Sequence, residues 1–472
     1  MRTTTERLAL LATMAVVLAT AACGGGADDT STEAAAGALD AERASALARR
    51  RPPPPPPPAP TTDATLALAS ATASGQAVDG DVCAVSADGG KVLFTSSSDT
   101  LVSGDLRPFA ADIFLKDFNG NGVIRAVTTT SRTVTCLGMT PDANTVVFMA
   151  DATNGRVDAL GNSGTELAIM VRNLSTGQQT RVTPLLSTFP NVGAYQFAGV
   201  SDDGSRVAFV AQPTSTCSGY DCTATGPARM LLRDLASGSP INLESQVCFT
   251  TTQGRADGNA WLSPNGRTLA FSSRAPYPEV GDTTAGSDVY AFDIASGNVR
   301  LVSTDAAGRQ LTFPGFQGIG PSFGVQTFLA NSSLIAFYSE FETSAGPGGV
   351  YVKNFSTGAL NRVFDRNLTA SDGYRSFASF SDDGRKVAYV ESNGVGGLGF
   401  RSLPRVVDLG TGARSSAATL TNGTVGNGNV TTTALLSRDG RVSAFGNNST
   451  NLLGGLSSLG GAELRAYRKL LP

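Results

Sequence analysis

The sequence predicts an all-β protein, a seven-bladed β-propeller of four-stranded antiparallel blades, with six or eight blades as the alternatives. Three observations lead there. A Ser/Thr-x-Asp/Asn-Gly turn recurs from residue 82 onward, five times in full and twice in degenerate form. A second signature, a β run closing on an Asp/Asn-x-x-x-Gly turn, recurs between those copies. The two ends of the repeat region also complement each other. Self-similarity of this kind marks repeat architectures, and radial repetition leaves only short, protected sheet edges.

The chain opens with an address rather than a fold. Arg2 and Arg7 precede an apolar run from Leu8 to Ala22. A run of about 15 residues falls short of the ~20 needed to span a bilayer and suits a secretory signal, 1–22. The ending Thr20-Ala21-Ala22-Cys23-Gly24 resembles a bacterial lipobox, with Thr20 where Leu is usual. That resemblance implies a diacylglyceryl group on Cys23. Gly24 after it implies an outer-membrane destination in a cell that has one. Ordinary cleavage after Ala19-Thr20-Ala21 is the alternative and yields a soluble secreted protein.

Residues 23–63 read as a tether. Gly24 to Gly37 is small and polar, with too little apolar surface to order itself. Residues 41–51 suit a short helix, marginal on its own. Pro52 to Pro58 is a polyproline rod of roughly 20 Å at ~3.1 Å per residue. Arg49, Arg50 and Arg51 are read as solvated charges, with anionic headgroups as the other reading.

From residue 64 to 472 the units follow one another. The turns start at Ser86, Thr140, Ser201, Ser263, Leu329, Ser381 and Ser437. Each leads into a β run ending at Phe94, Phe148, Phe209, Phe271, Phe337, Tyr389 and Phe445, at spacings of 54, 61, 62, 66, 52 and 56. Asp-Gly and Asn-Gly supply the positive φ of a tight hairpin. Ala143 and Ser332 replace that glycine in the second and fifth copies, so those turns are expected to be strained or different. The second signature appears at Asp112–Asp117, Arg233–Gly238, Asp288–Gly297, Val350–Gly358 and Val406–Gly412. The last unit stops at Glu463–Tyr467, which aligns with the third strand at Asp288–Phe292. Leu68–Gly75 aligns with Leu301–Gly308, a fourth strand. The N-terminal strand, about 64–70, is therefore expected to complete the last blade.

These units resemble the TolB-like, PD40 (WD40-like) propeller repeats, whose copies read Ser-Pro-Asp-Gly, a strand, Asp-Ile/Val-Tyr and a Thr-Gly turn. The resemblance covers about 64–472. It implies the fold and leaves function open, since such repeats occur in proteins with many partners, from periplasmic Tol-system propellers to propellers fused to peptidases.

Candidate sites are few. Asp117, Asn119 and Asn121, with Gly122 sixth in the run, have the spacing of the opening half of a calcium loop. The twelfth position is Thr128 rather than Glu, and a plain hairpin turn is the favoured reading. The Ser-x-Asp turns also resemble sialidase Asp boxes but lack their Gly and Trp positions, and Trp261 is the chain's only tryptophan. Asp105, Asp112, Asp282, Asp288 and Asp383 recur at repeat positions, which fits turn and blade-stabilising roles rather than a unique catalytic pair. An irregular insertion, Pro213 to Gly226, carries Tyr220 and Asp221 as candidate contact residues on a loop. Cys217 and Cys222 bracket it and suit a disulfide in an oxidising compartment. Cys83, Cys136 and Cys248 cannot all pair. Cys83 and Cys136 sit in first strands of neighbouring blades, which makes a bridge between them one reading; the other is that they face apart, since their offsets from the turn differ by one residue, which in a regular strand means opposite faces.

Composition narrows function. The 36 basic and 39 acidic residues give no electrostatic footprint for nucleic acid. There is no histidine, which removes Ser-His-Asp and Cys-His nucleophile systems and His-bearing zinc sites. The expectation is a monomeric, exported, lipid-anchored propeller without cofactor. It would not be an enzyme and would bind an envelope protein or glycan in the periplasm, at the outer membrane or at the cell surface. The alternative is a carboxylate- or metal-dependent polysaccharide hydrolase or lyase.

Overall fold

The computed structural model describes residues 62–102, 111–120, 122–125, 134–151, 167–184, 192–213, 215–218, 221–224, 228–236, 240–242, 256–273, 277–284, 286–312, 323–329, 332–339, 343–346, 348–365, 374–394, 400–430, 434–453 and 463–472. The chain divides into Met1–Pro57 and Pro58–Pro472, and the described residues all lie in the second unit. Cys23, the candidate lipid-attachment residue, lies outside them, as do Asp105, Asn121, Tyr220 and Cys248. No helix among the described residues is long and apolar enough to cross a membrane.

Seven four-stranded antiparallel sheets form a seven-bladed propeller. Sheet structure starts with β1 (Leu66–Leu68). Blade one is β2 (Asp81–Val85), β3 (Lys91–Ser96), β4 (Asp112–Asp117) and β5 (Gly122–Arg125). Blade two is β6 (Val134–Met139), β7 (Thr145–Asp151), β8 (Leu167–Asn173) and β9 (Gln179–Arg181). Blade three is β10 (Val192–Val200), β11 (Arg206–Pro213), β14 (Arg229–Asp234) and β15 (Pro240–Asn242), with a separate hairpin, β12 (Ser215–Ser218) and β13 (Asp221–Ala224), between its middle strands. Blade four is β16 (Ala256–Leu262), β17 (Thr268–Ser273), β18 (Asp288–Asp293) and β19 (Val299–Leu301). Blade five is β20 (Phe323–Phe328), β21 (Leu334–Ser339), β22 (Gly349–Asn354) and β23 (Leu360–Asp365). Blade six is β24 (Tyr374–Phe380), β25 (Lys386–Gly394), β26 (Phe400–Asp408) and β27 (Arg414–Ser416). Blade seven is β28 (Ala434–Leu436), β29 (Val442–Asn447) and β30 (Arg465–Leu470), with β1 as its fourth strand.

The core is divided among the blades. Seven clusters of buried apolar side chains are described, each drawing on two neighbouring blades, so every blade junction has its own. The seven repeat aromatics of the second strands, Phe94 to Phe445, are all buried.

The N-terminal strand closes the ring as its alignment predicts. Leu66 pairs with Lys469 and Leu68 with Tyr467. Asp63 fixes the entry. Its Oδ1 accepts from the Thr65 and Leu66 amides, and its Oδ2 accepts from the Thr421 amide and hydroxyl at 2.7 and 2.6 Å. Burial pushes this carboxyl up, but those four donors outweigh it and hold it well below the usual carboxylate range. Across the closing junction, Arg468 Nε donates to the Gly89 carbonyl and its guanidinium lies 4.9 Å from the Phe118 ring centroid. Gly89 adopts φ 66°, and a Cβ there would sit 2.3 Å from Val442.

Of the two readings of Cys83 and Cys136 the structure bears out the bridge: a disulfide joins them, with Cα atoms 6.1 Å apart. The reason is a β-bulge. Pairing skips one residue between Val82 and Ala84 and between Cys136 and Gly138. The same skip recurs three residues before the turn in β10, β20 and β24. Cys83 is the skipped residue of its strand, whereas Cys136 is the paired residue just before the skip. Alternation of faces therefore fails across that position. The bridge spans 53 residues of chain between blades one and two, and such a bridge contributes on the order of 2–4 kcal/mol.

Candidate functional site

The repeat turn builds the site. In blade three, the Ser201 hydroxyl donates to Asp203 Oδ1 at 2.6 Å and accepts the Arg206 amide. Asp203 Oδ1 in turn accepts the Ser205 amide. The same arrangement holds at Ser86/Asp88, Thr140/Asp142, Ser381/Asp383 and Ser437/Asp439. These bonds hold the Asp88 and Asp203 carboxyls below the ordinary range, hydroxyl donors first. Asp383, which burial pushes up, is held down by Ser381 and the Arg385 amide. Ala143 and Ser332 adopt φ 57° and 56°. Their turns therefore keep the repeat geometry and carry strain that glycine avoids.

With the first and third turn residues committed to the turn, the second faces inward. Backbone bonds link the turns of blades one and two, three and four, six and seven, and seven and one. The Ala87 amide donates to the Pro141 carbonyl, Asp202 to Pro264, Asp382 to Arg438 and Asp439 to Ala87. The second positions are Ala87, Pro141, Asp202, Pro264, Ala330, Asp382 and Arg438, so charge appears in three repeats only.

Those three charges meet in the channel. Both terminal nitrogens of Arg438 reach the two oxygens of Asp202, 236 residues away in blade three. Arg438 Nε lies 3.9 Å from Asp382. The three side chains line a cavity of about 290 Å³ together with residues from the innermost strand of every blade. Its wall includes Phe197, Trp261, Phe328 and Phe380. Trp261 is 40% exposed, whereas most of the large aromatics whose burial is described are buried. Burial pushes the Asp382 carboxyl up, Arg438 pulls it down, and Asp202, Asp383 and Asp439 push it up again.

A second polar group lies inside blade four. Asp282 and Asp288 are buried. Gln310 Nε2 donates to both, at 2.8 and 2.9 Å, and Ser303 donates to Asp288 at 2.6 Å. Tyr290 donates its hydroxyl to Asp282. Burial raises Asp288 to about 6, against the donors and with help from the charge of Asp282. The Gln310 amide occupies the space between the carboxylates, and its Oε1 is fixed by two bonds from Thr283. This network ties the connection before β18 to the blade.

The residues singled out from sequence fall apart. Asp117 ends β4, and its Oδ1 accepts the Asn119 amide at 2.9 Å in the turn to β5. No group of three or more His, Cys, Asp or Glu able to hold a metal is found among the described residues. Cys217 and Cys222 sit directly opposite each other in the β12–β13 pair, and Asp221 starts β13. That hairpin joins the second and third strands of its blade, at the channel end opposite the repeat turns. Sequence reasoning missed Asp202, Asp382, Arg438 and the role of Trp261. The signal was present as the charged second turn positions.

No family model matches the chain, and no curated protein matches it. Solved structures do. Oligogalacturonate lyase from Vibrio parahaemolyticus is similar with a TM-score of 0.52 at 12% identity, over 88% of this chain and 99% of that one. An oligogalacturonate lyase in complex with manganese gives 0.50 at 12% identity, over 88% and 98%. TolB from Acinetobacter baumannii gives 0.37 at 11% identity, over 82% and 84%. The two lyases speak to the fold alone, a propeller of comparable length.

Proposed function

We propose that this chain is an exported, lipid-anchored propeller that binds a protein or glycan of the cell envelope, and that it does so at the channel cavity. The observation carrying this reading is the cavity itself. It gathers the exposed Trp261 and the Asp202, Asp382 and Arg438 side chains from four blades. A concave apolar wall with a few convergent polar groups is what binding sites share.

A second reading, a carboxylate-dependent polysaccharide hydrolase or lyase, draws on the same two carboxylates meeting one arginine, with Asp382 pushed up toward the range of a general base. Against it, Arg438 is already engaged by Asp202, and no histidine is available as a base.

The test is crosslinking and capture from intact cells beside turnover assays on ester, peptide, glycoside and uronate-containing substrates. Capture is expected with the wild type and lost with Trp261→Ala, while turnover is absent. Capture lost instead on removing the β12–β13 hairpin would move the site to the other channel end. Robust turnover abolished by Asp382→Asn in a folded protein would replace the binding reading with the enzymatic one.

A further inference from the structure

We infer that the channel cavity receives an organic cation, and that its occupant is a lysine or arginine side chain presented by a polypeptide. The inference rests on the channel being the binding site. Asp202, Asp382 and Arg438 together carry one surplus negative charge. Arg438 uses both terminal nitrogens on Asp202, and its Nε at 3.9 Å is beyond hydrogen-bond reach of Asp382. Among the described residues no hydrogen bond reaches the Asp382 carboxylate, although its side chain is only 44% exposed.

A half-buried carboxylate without a donor favours a ligand that brings one. An ammonium or guanidinium supplies several donors and cancels the surplus charge, whereas a carboxylate ligand would double it. The wall agrees. The half-buried Phe197 and the exposed Trp261 border the same space, and aromatic faces attract cations. The methylene stem of a lysine or arginine suits the apolar remainder of the wall, with its charged head at Asp382. The volume of about 290 Å³ is at the low end for ligand pockets and suits one long side chain rather than a glycan chain.

Trp261 is the only tryptophan of the chain, so tryptophan emission reports this cavity alone. The purified protein is titrated with acetyl-Gly-Arg-Gly-amide, its Lys, Gln and Glu counterparts, and agmatine as a free amine. Saturable emission changes are expected with the Arg and Lys peptides and not with Gln or Glu. Asp382→Asn is expected to weaken binding about tenfold or more, with an unchanged melting curve as the control for folding. Trp261→Leu, followed by calorimetry, is expected to weaken it as well and serves if Asp382→Asn does not fold. Saturation by the Glu or Gln peptide would overturn the cation while leaving the channel as a binding site. Binding of agmatine without the peptides would overturn the polypeptide source. Equal affinity in Asp382→Asn would overturn the assignment of the carboxylate. Silence from every probe would overturn the inference, and silence together with intact capture in Trp261→Ala would remove the channel site too.

Discussion

The two ends of the channel are built on different terms. At one end, the connection from the innermost strand to the second is five residues in every blade, 86–90, 140–144, 201–205, 263–267, 329–333, 381–385 and 437–441. At the other end, the connection from the second strand to the third runs over 97–111, 152–166, 214–228, 274–287, 340–348, 395–399 and 448–464, from 5 to 17 residues. One end repeats a single hydrogen-bonding device in six blades, Leu329 of blade five having no hydroxyl for it, and varies the side chain presented at the second position. The other varies the backbone itself. The uniform end carries the charged cluster, because a fixed turn holds its second side chain in a defined place at little ordering cost. The variable end carries the β12–β13 hairpin.

The largest effect that separates structural from dispensable segments comes from deletion. Removing residues 62–70 takes away β1 and the Asp63 clip, and leaves the β30 ladder unpaired beside Lys469, whose Nζ donates to Thr65 and Thr419. An exposed edge of this kind is a pairing and aggregation liability, and the protein is expected to lose its cooperative melting transition or to aggregate. Replacing 214–227 with a short turn is expected to leave the transition within a few degrees of the wild type. Equal tolerance of both deletions, read by calorimetric melting, would show that the strand pairing of blade seven does not hold the ring.

How much of this was legible follows the same division. Local turn chemistry has a one-to-one relation to sequence, so the seven turns, the seven aromatics from Phe94 to Phe445 and the closing strand could be read directly. The bulge before the turns of blades one, two, three, five and six could not, because a skipped residue leaves no mark in composition. That is why Cys83 and Cys136 read as facing apart and yet meet. The cluster in the channel was half legible. The sequence displays Asp202, Asp382 and Arg438 at one turn position, but which blades face each other across the channel is a property of the ring.

A smaller effect concerns pH and the network that anchors the connection before β18. Asp288 titrates near 6 in the folded state against 3.8 as its ordinary value, so the folded protein holds this proton more tightly than the unfolded chain. Its stabilising contribution is complete below about pH 4 and is lost as pH rises through 6, on the order of 3 kcal/mol in total. Asp288→Asn keeps the neutral form at every pH. The Ser303 and Thr284 hydroxyls that now donate to Asp288 can rotate to accept from the new amide. The variant is expected to match the wild type in stability near pH 4.5 and to exceed it near pH 7.5, measured by urea unfolding at both. A constant difference between the two proteins across that range would mean that Asp288 is ionised in the fold throughout.

The smallest effect lies within the uniform end, at Ala143, and it is set beside a larger one at the same turn position of blade one. At Ala143, with φ 57°, glycine relieves about 1 kcal/mol of backbone strain. Ala143, however, is buried in the junction between blades one and two, where it is 2% exposed. Losing its methyl forfeits about 0.8 kcal/mol. The two terms nearly cancel, and Ala143→Gly is expected to move stability by less than about 0.5 kcal/mol. The reverse change at the same turn position of blade one has no such offset. Gly89→Ala meets both the positive φ and a Cβ contact of 2.3 Å with Val442 across the closing junction, so it is expected to destabilise by about 2 kcal/mol or more. Urea unfolding of the two variants side by side checks the pair. A Gly89→Ala protein as stable as Ala143→Gly would mean that the first and last blades meet less closely at Gly89 than a 2.3 Å approach to Val442 requires.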